Sequence, residues 1–126
     1  MKTLGMLPVR VTGVSKASGE PYPETDRRLA LVGFAGTLEV FESEIRFPGK
    51  KAGEFRPVAS KRGGGFEFAS CDPFLTTFGE MCCNGSRIAI ETANSVYEFE
   101  KLEGEELAEY EAFLDELASA NAPISF

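Results

Sequence analysis

The side chains with the widest chemical repertoire in this chain are three cysteines, Cys71, Cys82 and Cys83, and a dense set of carboxylates; there is no histidine. Without histidine the commonest general acid–base near neutral pH is missing, and so are the Ser-His and Cys-His nucleophile pairs and the commonest metal ligand. A thiolate-only zinc site needs four sulfurs, and the chain supplies three. An odd count with two neighbours is also a poor disulfide framework, because adjacent cysteines bridge only with backbone strain. Gly79, Glu80, Met81 and Asn84, which flank the pair, offer no cation to stabilise a thiolate. Cys82 and Cys83 are therefore expected to be buried, apolar-like side chains, with no catalytic residue, metal or cofactor in the protein.

The carboxylates give no better lead to catalysis. Glu39, Glu42 and Glu44, and again Glu98 and Glu100, alternate with apolar residues as the solvent face of a strand does, and nothing marks the cleft that a glycosidase-type carboxyl pair requires. Lys61-Arg62-Gly63-Gly64-Gly65 lacks the Gly-Lys-Ser/Thr ending of a phosphate loop, and no clear helix follows to present its N-terminus to an anion.

Charge is nevertheless unevenly spread. Between Arg46 and Arg62 lie six basic residues and one acidic, Glu54, whereas Glu98 to Glu116 holds nine acidic residues opposed only by Lys101. The basic stretch raises the reading of a nucleic-acid or phosphate-ligand contact through loops 46–62, made by Lys50, Lys51, Arg56, Lys61 and Arg62, with Phe66 or Phe55 to stack on bases. The net charge of −7 opposes that reading for the molecule as a whole. The acidic stretch raises the converse, an inhibitor-type protein whose C-terminal helix presents Glu105, Glu106, Glu109 and Glu116 to a basic partner surface.

The elements that must carry these charges follow from periodicity. Ile88 to Glu100 reads as a hairpin turning at Ala93-Asn94, with Ile88 opposite Phe99 and Ile90 opposite Tyr97 on one face; Asn94 suits a left-handed turn position. Leu4 to Val14 alternates as a strand, with Pro8 at an edge or before the paired part. Leu29 to Phe34 is apolar enough for a buried strand. Thr37 to Phe47 is strand-like with a change of phase near Glu42-Ser43, and Phe55 to Ser60 is a short strand interrupted by Pro57. Phe74 to Met81 fits a helical turn and a strand equally well. After Leu102 the apolar period becomes three and four, which predicts a helix over roughly 105–120 lying on the hairpin face through Leu107, Tyr110, Leu114 and Leu117, then a short C-terminal tail.

The expected fold is α+β and mainly β, one domain over residues 1–126. It would be a small antiparallel sheet or partly open barrel of six to eight short strands, roughly within 4–100, with one C-terminal amphipathic helix packed on it. The N-terminus lacks the long apolar core of a signal peptide, and no stretch approaches the roughly 20 apolar residues of a membrane span. The functional expectation is a non-catalytic, cytoplasmic protein-binding or regulatory module away from the membrane, bound to a protein partner or to a second copy of itself as a homodimer. Nucleic acid is the alternative partner.

Overall fold

The computed structural model describes residues 2–61, 65–69 and 71–120. Eight strands run in chain order as β1 (Lys2–Lys16), β2 (Phe34–Glu42), β3 (Lys51–Lys61), β4 (Phe66–Phe68), β5 (Phe74–Leu75), β6 (Glu80–Asn84), β7 (Arg87–Glu91) and β8 (Ser95–Lys101), followed by helix α1 (Gly104–Ala120). All pairings are antiparallel, in the order β4-β3-β2-β1-β8-β7-β6, with β5 also on β3. The mainly-β α+β class with a single C-terminal helix is as expected.

The β7–β8 hairpin has the expected register, Ile88 opposite Phe99 and Ile90 opposite Tyr97. Its turn is held by Thr92, whose backbone N–H donates to the Ser95 carbonyl at 2.8 Å and whose hydroxyl accepts from the Ser95 N–H at 3.1 Å. Asn94 does not use a left-handed conformation, since no described non-glycine residue has a positive φ; its carbonyl instead accepts from the Ala17 N–H at 3.0 Å.

Alternation places Val9, Val11, Leu38, Val40, Phe55, Ile88, Ile90, Tyr97 and Phe99 in one interior cluster. Val14 joins them out of phase because β1 carries an irregularity between Val11 and Gly13, and one extra residue flips the face. The segment from β4 through β5 runs along the outer edge of β3 and reaches Gly79, which exchanges two backbone hydrogen bonds with Lys51, at 2.8 and 2.9 Å. That bridge brings the ends of the sheet together into a partly open barrel. Glu42 pairs with both Lys2 and Lys51, Lys51 bridges to Gly79, and its neighbour Glu80 leads through Glu91 and Val96 to Ser15, thirteen residues along β1 from Lys2, so the strands are strongly staggered. Gly79 is required there: a Cβ would collide with the Glu91 carbonyl.

Several expectations are corrected. Leu29 to Phe34 is not a strand; Arg27–Leu31 forms a 3-10 turn, because Asp26 caps it by accepting from the Arg28 N–H at 2.9 Å, and β2 begins only at Phe34. Pro57 does not interrupt β3, which runs unbroken from Lys51 through what was expected to be loop, because Pro57 stands where pairing with β2 slips between Ala35 and Gly36. Pro8 lies in a central strand, just before the part of β1 that pairs with β8 from Val9 onward. Residues 74–81 are not helical; they contain β5, a bend at Phe78 and the start of β6. The phase change near Ser43 is the end of β2, where the Ser43 hydroxyl accepts from the Phe47 N–H at 3.0 Å.

The helix does not pack on the hairpin face. That face is already enclosed as barrel interior, whereas Tyr110, Leu107, Phe113 and Leu114 cluster with Ala35, Ala59, Leu102 and Phe66. Leu102 directs the chain there by donating its N–H to the Pro8 carbonyl at 3.1 Å, and the two alanines leave a shallow floor for the Tyr110 ring. The expected tail after Ala120 lies outside the described residues.

Ile90, with no exposed surface, should lose about 2–5 kcal/mol of stability on Ile90→Ala in urea unfolding; a loss under about 1 kcal/mol would contradict its place in the core. Gly79→Ala should cost at least about 2–3 kcal/mol, because its Cβ would have to displace the Glu91 backbone at the end of β7 or the bridge to Lys51, while Gly5→Ala, with open space around it, should change stability by less than about 0.5 kcal/mol.

Candidate functional site

The basic segment does not form one patch. Lys51 and Lys61 stand at opposite ends of β3, ten residue steps or roughly 33 Å apart. Lys50 pairs with Glu80, Arg56 Nε with Glu54 at 2.6 Å, and Lys61 Nζ with Glu106 at 2.6 Å. The Lys50 ammonium holds the Glu80 carboxyl below its usual range, through their hydrogen bond first and charge attraction second. Lys51 Nζ lies 3.5 Å from the Gly49 carbonyl, and Arg62 lies outside the described residues. Phe66 sits edge-on to Tyr110 at 5.4 Å with the Lys61 ammonium 5.2 Å from its ring centre, and Phe55 is enclosed in the core.

The acidic helix is different. Glu105, Glu109 and Glu116 are exposed, as are Glu111 and Asp115, and α1 contains no Lys or Arg to offset them. Glu106 leaves this group: half-buried, its Oε2 lies 2.6 Å from Lys61 Nζ and 3.4 Å from Arg10 Nε. The Arg10 contact is close enough for charge attraction but is not aligned as a hydrogen bond, and the buried Arg10 Nε has no hydrogen-bond acceptor. Arg10 also pairs with Glu100 at 3.4 Å. One carboxylate thus ties the helix to both β1 and β3.

No protein-family model, characterised protein or solved structure matches this chain. Any functional reading therefore rests on these side chains.

The cysteines overturn their expectation. Cys82 and Cys83 are exposed, because β6 is the last strand in the sheet order and no second layer covers it, and Cys71, in the connection before β5, is exposed as well. The Cys71 thiol is pushed up, by partial burial of its sulfur first and by Asp72 second, so it stays protonated at neutral pH and is a poor nucleophile. Among the described residues no three Cys, Asp or Glu side chains gather into a metal-holding group, and no helix is long and apolar enough to cross a membrane.

A cavity absent from the sequence reading opens at one end of the barrel. The connection between β1 and β2 crosses this end: the Tyr22 hydroxyl bonds Ser95 and the Asn94 carbonyl, and the Gly33 N–H donates to the Val11 carbonyl at 2.9 Å. Between the 3-10 turn and residues 71–74 lies a space of about 550 Å³. Its walls come from two segments forty residues apart, so no local pattern announces it.

Glu106→Gln should destabilise the fold by about 1–2 kcal/mol, less in high salt, because it removes the counter-charge of two half-buried cations. Glu109→Gln, on the exposed face, should stay within about 0.5 kcal/mol; equal effects of the two in thermal unfolding would contradict the assigned roles.

Proposed function

We infer that the protein is a non-catalytic protein-binding module that presents the exposed face of α1 to a basic surface on a protein partner. The observation that carries this reading is the charge of the helix: five exposed carboxylates, Glu105, Glu109, Glu111, Asp115 and Glu116, with no Lys or Arg in the element.

This arrangement disfavours the isolated helix. Glu105 with Glu109, and Glu111 with Asp115, are like-charge pairs four residues apart, each costing about 0.2–0.5 kcal/mol. The last turn has no cation for the negative end of the helix dipole, and Asp115 and Glu116 lie near it. A partner bearing Lys and Arg would relieve both effects on binding and speed association by electrostatic steering. A nucleic-acid contact through the basic segment has weaker support, because Lys50, Arg56 and Lys61 already face carboxylates.

The test is affinity capture from the native host. The wild-type chain is compared with a helix variant (E105Q, E109Q, E111Q, D115N, E116Q) and a sheet-face control (E91Q, E98Q). The helix variant should melt at the same or a higher temperature yet lose a captured protein that wild type and control retain, and salt should weaken the wild-type complex. Undiminished capture by the helix variant would overturn the reading.

A further inference from the structure

The end cavity has the composition of a ligand site. Its apolar walls are Ala30, Leu31 and Phe34 from one segment and Pro73 and Phe74 from the other. At about 550 Å³ it falls within the range of small-molecule sites. In the 3-10 turn Leu31 is only half-buried against the core and Ala30 is exposed, so both leave apolar surface uncovered beside this space.

The charged groups that border this space are few, and one of them is held in place. Arg28 is fixed from two sides: Nη1 donates to Asp26 Oδ1 and Oδ2 at 3.2 and 3.0 Å, and its guanidinium carbon lies 4.6 Å from the centre of the Tyr22 ring. Arg27, beside it, is exposed and makes no ion pair among the described residues. A neighbouring hollow lined by Pro23, Thr25 and Asp26 shares Arg27, Arg28 and Phe74, so both arginines border the two spaces. Asp72 and Cys71 complete the rim.

We propose that this cavity binds a small amphipathic monocarboxylic acid, its carboxylate on Arg27 and its apolar body against Leu31, Phe34 and Phe74. A guanidinium grips a carboxylate through two parallel N–H donors, and an apolar body is favoured by removing those side chains from water. Asp72 disfavours a second negative charge, which selects a single carboxylate over a diacid. The site lies on residues separate from α1, so its failure would leave the helix reading intact, and the converse also holds.

Octanoate and 1-octanol serve as probes, titrated into the isotopically labelled full chain and followed by amide NMR. Octanoate should shift resonances saturably within residues 27–34 and 71–75 and bind more tightly than octanol. Arg27→Gln, at an exposed position that leaves the fold unchanged, should weaken octanoate about tenfold with little effect on octanol. Absent or non-saturable shifts, shifts centred elsewhere, equal affinity for the two probes, or unchanged octanoate affinity in Arg27→Gln would each overturn the assignment.

Discussion

The backbone exchange between Lys51 and Gly79 is the constraint on which the barrel depends. The six strands from β3 to β6 in the sheet order, paired side by side, have two outer edges, and only where those edges meet does the sheet enclose a volume. Gly79 can hold this place because it has no side chain to push its backbone off that of Glu91 and Thr92 at the end of β7, on the side away from Lys51. Gly53 works in the same sense one turn of the ladder away, since a Cβ there would lie 2.8 Å from the terminal methyls of both Ile90 and Leu38. The stagger that lets the edges meet also brings Ile88, Ile90, Phe55 and Phe99 to a common interior.

Once the interior is enclosed, the helix has only the outer surface to cover. It settles where side chains are smallest, over Ala35 and Ala59, and is fixed electrostatically by Glu106 between Arg10 and Lys61. This arrangement sorts the charges. Arg56 and Lys61 of β3 are drawn into pairs, while the outward carboxylates of α1 keep their charge in solvent. A net excess of negative charge spread along the chain thereby becomes an acidic face at one place, the property on which the proposed protein-binding role depends.

Much of this was legible in the sequence where local pattern and tertiary environment agree. The hairpin register followed from period-two alternation around a short turn, and the helix from a change to period three and four; both survive in the structure. Illegibility had particular causes. Leu-Ala-Leu-Val-Gly-Phe has the composition of a strand, but Asp26 caps a 3-10 turn through its first residues, and a short apolar run carries no period to distinguish the two. The helix floor was misplaced because Ala35 and Ala59 signal nothing by themselves; they matter by being small beneath Tyr110. The basic residues looked like a patch because a strand's length was not counted against them. The cysteines looked buried because their apolar character was weighed without knowing that β6 ends the sheet. The end cavity, assembled from distant segments, had no sequence signature.

Closure at the seam can be tested without altering a residue. Native-state amide hydrogen exchange should find the Lys51 and Gly79 amides, each donating to the other's carbonyl, exchanging as slowly as those of Ile88 and Ile90, through global unfolding only. If Lys51 and Gly79 exchange orders of magnitude faster than the β7 amides, at the rate of an open strand edge, the sheet is not closed there and the account of the fold fails.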